Sequence, residues 1–325
     1  MEQLPKKKIL MKKNNTLFIM PPPFKCTYLL SISSSYYIIK IQNFLKQKVY
    51  MLQQQLEEIR NNNYILDNTI NIDSLSSNML EHIGVTDSYL RDKLIYSTFY
   101  HLIKKDYISH THLQKLLLES ISEKYLLYKI HSDDEDAVFT RAFTTLLIAL
   151  IIDADTNHNF LSQNDILTVK DQLILYMNNE HDFRGYVQDH GWAHSIAHAS
   201  DTFEALVNSP KLETLYYEEI LQTLLNKVCV HSIYYKYEED ERIVYPIVAM
   251  LQNDLKEEVL ILALHDLVAQ LQVKKSTLHI ESYEFLYGNI KSFLRSLFFR
   301  LRTLSICKET ECEIEKLLPG LRQYY

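Results

Sequence analysis

At 325 residues with 47% hydrophobic side chains, the chain is long enough for one large domain or two ordinary ones and can bury a sizeable core. It has only five Gly and seven Pro, which argues against Gly-rich phosphate loops and tight hairpins and for long helices joined by short polar loops. Its charge of −7 is lopsided: residues 1–50 carry nine Lys and one acid, Glu2, leaving −15 on residues 51–325, a poor match to the phosphates of nucleic acid.

Residues 1–50 read as a basic and apolar leader outside the main domain. Lys6-Lys7-Lys8 and Lys12-Lys13 precede a short apolar patch, Leu17 to Met20, which Pro21-Pro22-Pro23 interrupts. A signal peptide needs an apolar core of about 7–15 residues, and a spanning helix needs about 20. Thr27 to Leu45 approaches that length but is diluted by Ser, Lys40, Gln42 and Asn43. The expectation is a start at Met51, with a disordered basic tail or a poor membrane anchor as the other readings; no integral membrane domain is expected. Cys26, Cys229, Cys307 and Cys312 are scattered without zinc or redox pairing, which suits free thiols in the cytoplasm.

From Met51 the apolar spacing predicts successive amphipathic helices. Met51 to Arg60 comes first, followed by the polar Asn61-Asn62-Asn63. Ser74 to His82 follows, capped by Asp73 or Ser74, then Tyr89 to Ile103, capped by Thr86 or Asp87. His112 to Tyr128 is the next helix. Ala137 to Ile152 is apolar on nearly all sides and should be central. Asp153 to Asn164 places Asp153, Asp155, Asn157 and Asn159 at calcium-loop offsets, but His158 replaces the turn Gly and Asn164 the bidentate Glu, so it reads as a polar loop. Ser162 should cap Asp165 to Met177. Helices over Trp192 to Val207, Glu213 to Val230, Ile243 to Leu251, Leu255 to Leu271, Ser282 to Leu304 and Glu311 to Leu318 complete the series. No segment alternates like a strand. The fold class expected over 51–325 is all-α, with antiparallel helices stacked into a superhelix or solenoid-like single domain.

The chemistry concentrates in Arg184 to Asp201, which holds the only Trp, Trp192, and two Gly, Gly185 and Gly191. His194, His198 and Asp201 stand at i, i+4 and i+7, on one face of a helix. Two imidazoles and a carboxylate at that spacing suit a divalent, zinc-like metal, with Asp182, Asp189, Asp240 or Glu241 as further ligands. The competing reading is a structural network: Asp201 pairs with Arg184 or Arg242, and Trp192 anchors the helix start in the core. Glu239-Asp240-Glu241-Arg242 opens a helix, where acids suit the dipole. Arg295 lies within an apolar run, Asn289 to Arg300, and a buried Arg there should face the Glu239–Glu241 cluster or Asp201.

The 184–201 run, Glu239 to Arg242, Phe293 to Phe299 and Ile83 to Tyr96 together resemble the bacterial family called domain of unknown function 2785, over about residues 51–320. Glu238 stands where the resemblance implies Gly. The resemblance implies a cytoplasmic helical protein of Gram-positive bacteria and no established reaction. The expected function is therefore a binding or interaction module for a protein or small-molecule ligand, with a polar site on Arg184, Trp192, His194, His198, Asp201, Asp240, Glu241, Arg242 and Arg295. The alternative is a hydrolase in which His194, His198 and Asp201 hold a divalent metal that activates water.

Overall fold

A computed structural model describes Lys40 and residues 46–321. The chain divides into two units, residues 1–51 and 52–325. In the first, Lys40 and residues 46–51 are described and are helical; the competing readings of residues 1–50 fall almost wholly outside the described residues.

The second unit is all-α apart from one small hairpin. Residues 52–61 are helical (α1), with Leu52, Leu56 and Ile59 buried as their spacing requires. α2 spans Ile72–Glu81 and is capped by Asn71, whose side chain accepts from the Ser74 amide; Asn71 takes the role expected of Asp73 or Ser74. Tyr89–Tyr96 winds as a π-helix that runs directly into α3, Ser97–Lys104, with the Asp87 carboxylate accepting from the Leu90 amide. α4 spans His110–Ser120 and stops eight residues short of the expected Tyr128. There the Ser122 hydroxyl donates to the Glu119 carbonyl and accepts from the Lys124 amide, replacing helical backbone bonds.

α5, Ala137–His158, is buried along nearly its whole length and forms the centre of the unit. It continues through Asp153 to His158, so the first half of the would-be calcium loop is helix. Asn159 closes it in the left-handed conformation, and the buried Asp155 carboxylate accepts from the Phe160 and Leu161 amides as the chain reverses. Ser162 and Asp165 form a reciprocal capping box on α6, Gln163–Asn179. After the hairpin come α7, Ser195–Asn208, α8, Tyr217–Val228, α9, Glu239–Gln252, α10, Glu257–Lys275, α11, Ile280–Leu304, and α12, Lys308–Gly320.

The packing forms two rows. α3, α5, α7, α9 and α11 stack in order in one; α6, α8, α10 and α12 stack in the other. The pairs α4–α5, α6–α7, α8–α9 and α10–α11 join the rows. Each pair packs chiefly against its neighbours in the rows, the logic of a helical solenoid. The tightest seams are α5 on α7 and α7 on α9, so polar side chains on the α9-facing side of α7 meet those at the start of α9.

Candidate functional site

Trp192 does not begin a helix. Tyr186–Val187 (β1) and Gly191–Trp192 (β2) pair antiparallel, Tyr186 opposite Trp192 and Val187 opposite Gly191. The ladder extends to the Ala193 amide on the Gly185 carbonyl at 2.8 Å and the His194 amide on the Arg184 carbonyl at 3.1 Å. Gly makes this hairpin possible. Gly191 sits at φ +80°, and a Cβ there would lie 2.7 Å from the Ser88 Cβ. A Cβ on Gly185 would lie 2.2 Å from the Tyr237 ring.

Arg91 fixes the hairpin from below. The π-helix buries it at 0% exposure, its guanidinium 4.3 and 4.6 Å from the Phe139 and Phe143 ring centres. It donates to the carbonyls of Val85 at 2.8 Å and His190 at 2.7 Å, and Asp92 lies 2.9 Å from its Nε. Among the described residues the deeply buried arginines are Arg91 and Arg141, the latter forked onto Glu180 at 2.7 and 2.9 Å. Arg295, expected to be buried, is exposed. Five residues further along α11, Arg300 reaches Glu241 at 3.7 Å and the Tyr245 hydroxyl at 2.6 Å, while Ser296 donates to Asp240 at 2.9 Å. The periodicity of α11 turns Ser296 and Arg300 toward α9 and Arg295 away.

Trp192 is 39% exposed rather than a core anchor. It packs on the His194 ring at 4.4 Å and, edge-on, against Tyr186 at 5.1 Å and Tyr237 at 5.4 Å. His194 occupies the N-cap of α7 in the left-handed region, φ 48°, an uncommon conformation for a non-Gly residue. Its Nε2 is buried, lacks a hydrogen bond and lies 3.9 Å from Glu239 Oε1. Burial, reinforced by Arg242, holds the His194 pKa down to about 4. His198, 7% exposed, lies 5.7 Å from the His194 ring and 5.3 Å, edge-on, from Phe143. Burial and then the neighbouring His194 and Arg242 push its pKa well below the usual range, and its Nδ1 has no partner. Burial raises the Glu239 carboxyl, while Glu239 accepts from the Tyr237 amide at 2.9 Å. At neutral pH both imidazoles are therefore uncharged.

Asp201, one turn further, is held by Arg242 rather than by either histidine. Nε of Arg242 donates to Oδ1 at 2.6 Å and the second guanidinium nitrogen to Oδ2, a two-pronged pair that occupies both carboxylate oxygens. Among the described residues, only Asp106, His110 and His158 form a set of three or more His, Cys, Asp or Glu whose ligand atoms all lie within 4.8 Å of one another. His194, His198 and Asp201 do not form such a set. Asp182 is likewise committed to Arg184, at 2.9 and 2.6 Å, and Asp189 is an exposed hairpin-turn residue at φ 65°. Arg184, which also reaches Glu135, lines a different cavity, of about 580 Å³.

Beyond Asp201 opens a cleft of about 650 Å³ lined by Asp201, Glu204, Glu238, Glu241, Arg242, Tyr245 and Arg300. Glu204 continues the α7 stripe three residues past Asp201, a spacing that could have found it. Burial, and then repulsion from Asp153, raises its carboxyl. Glu238 adopts φ 66° just ahead of α9, which explains why a Gly suits that position. Pro246 lacks an amide for the Arg242 carbonyl four residues earlier, loosening the first turn of α9 from the rest.

No curated protein and no solved structure matches the chain. A family model described as protein of unknown function (DUF2785) matches residues 126–299, just over half of the chain. The Arg184–Asp201, Glu239–Arg242 and Phe293–Phe299 runs lie inside the matched segment and Ile83–Tyr96 lies outside it. The chain belongs to the domain of unknown function 2785 family.

Proposed function

We propose that the chain is a binding module whose ligand enters the cleft beside the His194–His198–Asp201 stripe and carries an amine or guanidinium group. The observation that carries this reading is the charge balance of the cleft walls. Four carboxylates, Asp201, Glu204, Glu238 and Glu241, face two guanidinium groups, and each arginine already has a partner: Arg242 has Asp201, and Arg300 has Tyr245 and Glu241. The surplus is negative, and a cationic ligand would also offset the burial and the Asp153 repulsion that raise Glu204. The volume falls within the range of about 300–1,000 Å³ usual for small-molecule sites. Neutral His194 and His198 and the aromatic edge of Trp192 and Tyr237 then brace the α7–α9 seam behind the cleft.

Metal-dependent hydrolysis at His194, His198 and Asp201 has less support, because Arg242 competes for both oxygens of the carboxylate that would complete the set. The free cysteines Cys229, Cys307 and Cys312 favour a reducing, cytoplasmic setting. Calorimetric titration with spermidine and agmatine, with citrate as an anionic control, tests the binding reading. The cations bind and Glu204→Gln weakens them while citrate does not; citrate binding alone, or cation binding indifferent to Glu204→Gln, overturns it.

A further inference from the structure

We propose that Asp106, His110 and His158 form a divalent-metal site of zinc type, separate from the α7 cleft. The three come from different segments. Asp106 lies in the α3–α4 turn, His110 is the first residue of α4, and His158 is the last residue of α5. His158 Nε2 stands 3.1 Å from Asp106 Oδ1, and the two imidazole rings are 5.0 Å apart. Ligands on a tetrahedral zinc at about 2.0–2.1 Å are separated by roughly 3.3 Å. The Asp106–His158 pair already has that spacing, and all three ligand atoms lie within 4.8 Å of one another, so a small side-chain rotation closes the set.

The surroundings hold the ligands in place. Asp106 is the left-handed residue, φ 56°, of a Schellman turn ending α3: its amide bonds the Ile103 carbonyl at 3.1 Å and the Tyr107 amide bonds the Leu102 carbonyl at 2.9 Å. Gly is the ordinary occupant of that position, and Asp there puts a carboxylate against His158. His110 stacks on Phe160 at 4.7 Å with an interplanar angle of 11°. Phe160 is itself fixed through its amide on the Asp155 carboxylate at 2.7 Å. A single His–Asp ion pair needs one imidazole. A second imidazole with its ligand atom within 4.8 Å of the pair, braced by its own aromatic platform, provides the two-nitrogen, one-oxygen set that borderline divalent metals prefer, with the remaining positions open to water. The same segment that fails as a calcium loop thus supplies His158 to a nitrogen-rich site. Zinc there would tie the α3–α4 turn to the end of the central helix α5.

The test uses the full chain without a histidine tag, stripped with chelator and titrated with zinc by calorimetry, with thermal melts in parallel. One equivalent binds saturably at micromolar zinc and raises the melting temperature. His110→Gln, His158→Gln and Asp106→Asn each weaken binding at least about tenfold, whereas His194→Asn leaves it unchanged. Cobalt substitution gives d–d bands without a thiolate charge-transfer band, distinguishing this set from the cysteines. The three side chains are exposed, and unchanged circular dichroism of the variants verifies that they fold. Absence of saturable binding, or binding that survives in the His110→Gln/His158→Gln double variant, overturns the proposal. Neither result bears on cation binding in the α7 cleft, which has its own probe and variant.

Discussion

Acidification should destabilise the fold through His194. The imidazole titrates near its ordinary 6.5 in the unfolded chain and at about 4 in the folded one. Between those values the unfolded state binds more protons, so stability is complete above about pH 6.5 and falls as pH drops toward 4. Linkage between pH 7 and pH 5 gives a loss of about 2 kcal/mol from His194 alone. His198 acts in the same sense, while the raised carboxyls of Glu239 and Glu204 act in the opposite one. The comparison must therefore be made against a variant. His194→Asn keeps a side chain that tolerates the left-handed N-cap and removes the titrating group. Urea denaturation at pH 7 and pH 5 should show wild type losing about 2 kcal/mol more than His194→Asn across that interval. An identical pH dependence in the two proteins would refute the argument that His194 is buried uncharged.

Three further outcomes follow from the geometry. Gly191→Ala must place a Cβ 2.7 Å from Ser88 at φ +80°; it should destabilise by about 1–3 kcal/mol in chemical denaturation, and a value near zero would contradict the close approach. Glu180→Gln strips the charge opposite Arg141 in a pair whose side chains are 1% and 5% exposed; breaking one side of such a pair costs about 3–5 kcal/mol, read as a large fall in melting temperature. Glu238→Gly relieves a left-handed non-Gly residue at φ 66° and should stabilise by about 0.5–1 kcal/mol.

Much of the helical architecture is readable from apolar spacing because each helix buries one stripe against a neighbouring pair. α5 stands out through the unbroken apolar run Leu146 to Ile152, and the α6 start through Ser162 and Asp165. The hairpin was not readable: two-residue strands carry no alternation, and only the pairing of Gly185 and Gly191 with Tyr237 and Ser88 shows why the chain folds back there. The end of α5 is not legible because Asp153, Asp155 and Asn157 resemble loop residues, although none of them is a Gly or Pro that would break the helix.

In the site, helical spacing places His198 and Asp201 on α7, whereas His194, expected one turn earlier on the same helix, is its left-handed N-cap. Which partner closes Asp201 does not follow from spacing, because Arg184 and Arg242 are equally plausible until the α7–α9 seam brings Arg242 to it. The exposure of Arg295 is not legible because an apolar neighbourhood in sequence does not fix the face on which a helical residue lies; Arg300 holds the position facing α9. The left-handed Glu238 and Asp106 were likewise invisible to composition, since backbone conformation there is set by how the flanking helices end and begin.

Arg242 occupies both oxygens of Asp201, and His194 and His198 are uncharged at neutral pH, so metal at His194 is the reading this arrangement disfavours. The most direct test is the metal content of tag-free wild type and His194→Asn after zinc loading and desalting, measured by inductively coupled plasma mass spectrometry. Equal metal content in the two proteins and no change in Trp192 fluorescence on loading are expected. Loss of one equivalent of metal on replacing His194 would contradict that expectation.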